Sequence, residues 1–367
     1  MNTPETSKLF KKWRDPISGV ESFILNPDSI PFVQSFYFVN TSYTDDGRYL
    51  WFYCAFPPSE LKCLGLVDFE NDSVRFLPET QFLDAAPMID LETGYAYWIS
   101  KTELWKISPV PGAKPVLLNR FPDALAKSRR PHRISTHLTF SADRKSVSLD
   151  AQIGNEWFVG AMPLNGRAPE IWQKITDCCA NHAQLSPTDP DLLMFANDGW
   201  NDAATGEKHD YSKRIWLIRK GGKAEPVFKE DTPMHGHEWW DPDGKTIWYI
   251  NYGIGTEKVD IRSRRRELVW PSNCVSHSHS NAEGKYIVSD VSTHNINNEC
   301  RVEFINLAGK KAIDIVSSIP TIVELNRYHI HPHPQFCLKD KYICYTTTVL
   351  KRVSLALTPV SNIVFLW

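Results

Sequence analysis

The sequence predicts an all-β fold, a single seven-bladed β-propeller of four-stranded blades spanning residues 1–367. Three observations carry that prediction. A four-part unit recurs seven times along the chain. Alternation of apolar and polar residues with period two dominates, and helical periodicity is scarce. One strand position within the unit is histidine in five of the seven copies.

The unit is an apolar run, a polar turn, a strand rich in aromatic and β-branched residues, and then a third and a fourth short strand. It begins at SYTDDGRYLWFYCAF (42–56) and recurs at APMIDLETGYAYWIS (86–100), HLTFSADRKSVSLDA (137–151) and HAQLSPTDPDLLMFA (182–196). HEWWDPDGKTIWYIN (237–251), HSHSNAEGKYIVSDV (277–291) and HPQFCLKDKYICYTT (333–347) complete the set. The starts lie roughly 40 to 56 residues apart, the spacing of a propeller blade and longer than ankyrin, TPR or leucine-rich repeats. The third strand is clear in RIWLIRK (214–220) and VEFINLAG (302–309). The chain ends in the strand-like segments VSLALTPV and IVFLW. A strand around GVESFIL (19–25) is expected to complete the last blade and close the ring, which removes sheet edges.

Bulk properties narrow the function. A hydrophobic content of 42% supports a real core and excludes wholesale disorder. A formal net charge of -2 leaves no basic excess for nucleic acid or anionic lipid, so an anionic ligand must be met by a local cluster. No apolar run approaches a membrane span. The segment MNTPETSKLFKKWRDP has no signal-peptide core, so a cytoplasmic location is expected, or a periplasmic one had a leader been removed. The eight cysteines lack CxxC spacing and mostly sit in strand-like runs, which points to buried free thiols rather than a thiolate zinc site.

Aligning the units on their turns (TDDG, SADR, SPTD, DPDG, NAEG, CLKD) exposes the position four residues earlier. In chain order it holds Asn40, Ala86, His137, His182, His237, His277 and His333, from a total of 12 histidines. First strands of propeller blades line the central channel, so these imidazoles should form a girdle at one mouth. A single channel histidine is ordinarily a hydrogen-bonded structural residue. Five at one register are better read as a functional cluster, because apolar or small residues fill a channel at lower cost. His277 with His279, and His331 with His333, are spaced by two and so share a strand face. Each pair can offer two nitrogens to one point, a donor set suited to Zn²⁺ or Mn²⁺.

HEWWDPDG (237–244), SHSHSNAEG (276–284), HPHPQF (331–336), SPTDPDLLMF (186–195) leading to RIWLI (214–218), and WRDPISGVESFILNP (13–27) together resemble the oligogalacturonate lyases. That family of seven-bladed propellers β-eliminates pectin fragments. The resemblance implies His237 as catalytic base and Arg214 facing the substrate carboxylate; His137 and His182, from the histidine register, are expected in the substrate site with Arg214. It implies a metal, usually Mn²⁺ with Zn²⁺ or Ca²⁺ as alternatives, held by His277, His331 and His333. The family's fourth ligand, a glutamine, is replaced by Tyr328, and His279 or His329 could stand in for it. Two further departures are ANDGWNDAATGEKHDYS (196–212) and PFVQSFYF (31–38), which replace histidine-containing family motifs.

The implied reaction is metal-assisted β-elimination of short uronic-acid oligosaccharides. It removes the C5 proton next to a carboxylate. A cation at that carboxylate stabilises enolate-like charge, and arginine can bind it bidentately. A neutral histidine suits the base, since its pKa lies near operating pH. His182 and Tyr328 are next in line for the role. Glu238 is given no part, because a regular strand points it away from His237. Asp290 is read equally as a partner orienting a ligand histidine and as a turn or inter-blade acceptor. Arg129, Arg130, His132 and Arg133, and the RSRRRE run of 262–267, are read as solvated segments. The rival functions are a noncatalytic sugar- or protein-binding propeller and a lyase for a different uronide.

Overall fold

The computed structural model describes residues 1–26, 30–83, 86–292, 300–320, 328 and 330–366. Seven antiparallel sheets follow one another as blades, as the repeat predicts. In the first blade Phe32–Gln34, Tyr49–Ala55, Lys62–Asp68 and Ser73–Phe82 run from the channel outward. The second starts at Met88–Ile89, the third at Arg133–Ile134 and the fourth at Asn181–Leu185. The fifth to seventh start at His235–Trp240, Val275–Ser280 and Gln335–Cys337. Among the described residues, no helix is long and apolar enough to cross a membrane.

The seventh sheet has five strands. Gln335–Cys337, Tyr342–Thr347 and Ser354–Pro359 come from one end of the chain, while Glu21–Leu25 and Phe10–Arg14 come from the other. Phe23 pairs with Leu357 and Ile24 with Ala356, so the ring closes with strands from both ends. The IVFLW segment departs from the strand reading. Pro359 ends the preceding strand, and Val360–Val364 turns back as a helix that buries Ile363. A proline cannot donate to a ladder, but it can precede a helix without loss.

The core lies between blades. Phe36, Trp51 and Leu64 of the first blade pack on Ile89, Ala96 and Trp98 of the second. Trp239 and Trp248 of the fifth meet Ile287 and Ile305 of the sixth. Each such side chain, fully buried, contributes about 1.5–3 kcal/mol. Alternation explains the pattern, because both faces of a blade are covered by its neighbours and its inner strands become apolar on both sides.

One polar clamp secures the closing strands. The Asp15 carboxylate, 2% exposed, accepts from the Ser317 amide and hydroxyl, both at 2.8 Å, across to the sixth blade. It also accepts from the amides of Ile17 and Ser18. Burial opposes its charge, but these donors outweigh burial and lower its pKa. Asp15→Ala is expected to cost about 1.5–3 kcal/mol, read by denaturant unfolding. The sign with pH follows from the lowered folded pKa. The contribution is full above about pH 4 and fades as acid protonates the folded carboxyl. A stability change that is the same at pH 3 and pH 7 would count against an ionised clamp.

Candidate functional site at one mouth of the channel

The inner strands are irregular where the histidines sit. Register slips between Asn181 and Gln184, between Gly236 and Trp239, and between Val275 and His277. His182, His237 and His333 adopt φ of 53°, 47° and 43°. A non-glycine residue takes this left-handed conformation only where the surroundings enforce it. A bulge re-aims a side chain and locally interrupts pairing. Here it gathers the imidazoles around the channel. His137 and His182 have ring centroids 4.6 Å apart, His237 and His277 3.9 Å, and His277 and His333 4.5 Å. His137, His182, His237 and His333 line one cavity of about 570 Å³, together with Arg214, a size typical of small-ligand sites.

His277, His331 and His333 each present a ligand nitrogen, and these nitrogens lie within 4.8 Å of one another. Asp290 organises the group. It accepts from His277 Nδ1 at 2.9 Å and from the His277 amide at 2.8 Å, and it takes the His333 amide of the next blade at 3.3 Å. Asp290 therefore both orients a histidine and bridges two blades. Burial pushes its pKa up to about 6, so it is ionised at neutral pH. Since a carboxylate only accepts, His277 carries its proton on Nδ1 and keeps the Nε2 lone pair for a ligand. Three imidazoles with such a carboxylate behind them fit a borderline divalent cation.

Two further residues considered for the cluster are engaged elsewhere. The Tyr328 hydroxyl donates to the Ser59 carbonyl at 3.0 Å, and its ring packs edge-on to Phe32. His279 Nδ1 accepts from the Phe336 amide at 3.1 Å, and burial pushes its pKa down to about 4. His329 lies outside the described residues.

His237 is held through one nitrogen. Its Nδ1 lies 2.5 Å from the Ser276 carbonyl and 2.8 Å from the Tyr252 hydroxyl. A carbonyl cannot donate, so Nδ1 carries the proton and the lone pair sits on Nε2. Burial, then the neighbouring His277 and Arg214, push the His237 pKa well below its usual value. The ring is thus neutral, oriented and basic on one side.

Arg214 is 5% exposed and already sits between two carboxylates. Its Nε donates to Glu238 at 3.1 Å, and its Nη1 forms an ion pair with Asp198 at 2.9 Å. Burial disfavours the guanidinium, but Glu238 and Asp198 more than compensate and raise its pKa. Glu238, given no part in the sequence reading, is the buried counter-charge of Arg214. Asp198 and Tyr211 come from the 196–212 segment, whose hairpin pairs Trp200–Asn201 with Lys208–His209. The Arg214 guanidinium lies 5.6 Å over the Tyr211 ring.

The first blade overturns part of the repeat alignment. Gln34 pairs with Tyr53, and the next contact is the bridge of Tyr43 to Leu50, so the intervening residues loop out. Asn40 is then not the equivalent of the histidines; its side chain donates to the Pro87 carbonyl. Tyr37 and Phe38 take the central place instead. Tyr37 stacks on His137 at 4.3 Å and meets the edge of His333 at 4.8 Å, while Phe38 lies 5.3 Å from His277. The aromatic run SFYF in a segment with weak strand alternation was the signal. Arg133 is a second correction. It lines the cavity rather than a solvated loop, because the strand Arg133–Ile134 turns it inward. Its neighbour Arg129 is paired on the surface with Glu156.

No protein-family model matches the chain. In sequence it is 26% identical over 204 residues to the oligogalacturonate lyase of Dickeya dadantii, 50% of each protein. It is 26% identical over 222 residues to the oligogalacturonide lyase of Pectobacterium atrosepticum, 55% of each. The match thus spans about half the length of these curated relatives. In structure it superimposes on an oligogalacturonate lyase from Vibrio parahaemolyticus with a TM-score of 0.77 at 18% identity, covering 96% of both chains. An oligogalacturonate lyase solved in complex with manganese gives 0.78 at 18% identity, covering 99% of this chain and 100% of that one. The chain is therefore a seven-bladed propeller that shares its fold with the oligogalacturonate lyases and is related to them in sequence.

Proposed function

We propose that this protein is a metal-assisted lyase that cleaves short uronic-acid oligosaccharides by β-elimination. One observation carries the reading. A neutral histidine with its lone pair free and a buried arginine share one small cavity with His333, a member of the three-histidine cluster.

His277, His331 and His333 would hold the ion. Their donor set suits Mn²⁺ or Zn²⁺ better than Ca²⁺, which takes oxygen ligands. A divalent cation bound there would supply positive charge for the substrate carboxylate. Arg214 would bind that carboxylate from the other side. Glu238 holds the guanidinium edge in place, while the more exposed Asp198 is the partner an incoming carboxylate would replace on Nη1. With the uronate so held, its C5–H is acidified. Nε2 of His237 takes the proton, the C5–H electron pair forms the C4–C5 double bond, and the C4–O bond breaks. The departing oxygen takes a proton from water. Burial, then His277 and Arg214, keep His237 neutral at pH 7, ready to accept the proton.

The test is formation of the 4,5-unsaturated product from digalacturonate and trigalacturonate, followed by ultraviolet absorbance. A chelated sample should be inactive and should recover on addition of Mn²⁺. Binding without product on every uronide tried would leave the sugar-binding propeller as the better reading.

A further inference from the structure

Two residues lining the cavity carry buried polar atoms that no hydrogen bond among the described residues satisfies. His137 is 3% exposed, and neither of its ring nitrogens has a hydrogen-bond partner among the described residues. Arg133 lines the same cavity, its buried Nε donates to nothing, and it forms no ion pair among the described residues. The contrast with Arg214, held by two carboxylates, is sharp. Unmatched buried donors are costly unless a ligand satisfies them.

The nearby acids form no ion pair with Arg133 among the described residues, although the charge of buried Asp150 is felt by it. Asp150 is buried and accepts from the Thr136 amide and hydroxyl and from the Ala183 amide. Glu156 is taken by Arg129 and Lys174. Burial, and next Arg133, push the His137 pKa down to about 3, so His137 is neutral and the local positive charge is that of Arg133. His182 beside it also lines the cavity and donates from Nδ1 to the Asn181 side-chain oxygen at 2.7 Å.

We infer that Arg133 and His137 form a second carboxylate-and-hydroxyl subsite, which takes the uronate ring adjacent to the one being cleaved. The inference rests on the lyase reading and assigns two residues of this chain to the second ring of that substrate. A guanidinium binds a carboxylate through two parallel N–H groups. A neutral imidazole offers one donor and one acceptor, the pattern of a sugar hydroxyl. Tyr37, stacked on His137, holds that ring in place.

The test compares binding of digalacturonate and monogalacturonate to the Mn²⁺-loaded protein by calorimetry. The parent protein should prefer digalacturonate. Arg133→Gln should reduce the ratio of the two affinities by roughly 10- to 100-fold, the worth of a charged hydrogen-bonded contact. Arg133→Lys should retain part of the preference, since it keeps the charge but not the fork. A measurement on the parent protein needs no variant: digalacturonate esterified on one carboxylate should lose a similar factor. If digalacturonate binds and neither the charge-free variant nor the ester changes the ratio, the second subsite is wrong while the lyase reading stands. If the parent protein binds no uronide, both fall.

Discussion

His237→Asn is expected to lower turnover of a short uronide by roughly 10²–10⁴-fold, the typical worth of a positioned general base. Asparagine keeps the approximate size and can still donate to the Ser276 carbonyl, which now receives Nδ1 of His237 at 2.5 Å. It cannot accept the C5 proton. Substrate affinity and metal content should therefore change little, because Arg214 and the three-histidine cluster are left in place. The left-handed backbone at His237 also favours asparagine over alanine as the replacement, since asparagine tolerates that conformation. The variant separates base from fold more cleanly for that reason. Turnover close to that of the parent protein would move the base to another imidazole of the cavity, with His182 first in line.

His277→Ala or His333→Ala should abolish binding of the divalent ion and, with it, product formation. Elemental analysis of the parent protein should find about one ion per chain, and either variant should fall close to none, because two imidazoles hold an ion far less firmly than three. Asp290→Asn should be milder, with metal affinity down roughly 10- to 100-fold, the usual cost of removing a carboxylate that orients a ligand histidine. The fold should persist in all three, as judged by circular dichroism, because most of the core lies between blades. Full metal occupancy in both alanine variants would exclude this cluster as the site.

The blade repeat and the histidine register were legible because both are periodic. Propeller blades repeat the same strand order, so equivalent positions in sequence reach the same depth in the channel. His137, His182, His237, His277 and His333 could be aligned on the turns that follow them. Strand alternation likewise marked the N-terminal segment that pairs with Ser354–Pro359.

What sequence alone could not decide is what breaks the period. The loop between Gln34 and Tyr43 leaves the ladder and carries Tyr37 and Phe38 into the channel, and no spacing rule measures an extra loop in one blade. Pairing of charges is also a property of tertiary contact. Glu238 and Arg214 are 24 positions apart, yet one neutralises the other. Arg133 sits in a basic run that reads as solvated, yet it lines the cavity and forms no ion pair among the described residues. Even the directions of His182, His237 and His277 depend on bulges in their strands. Periodic burial is encoded locally, because each strand needs only its own alternation to find its faces. The partner of a buried charge is settled only when blades distant in sequence close around the same channel.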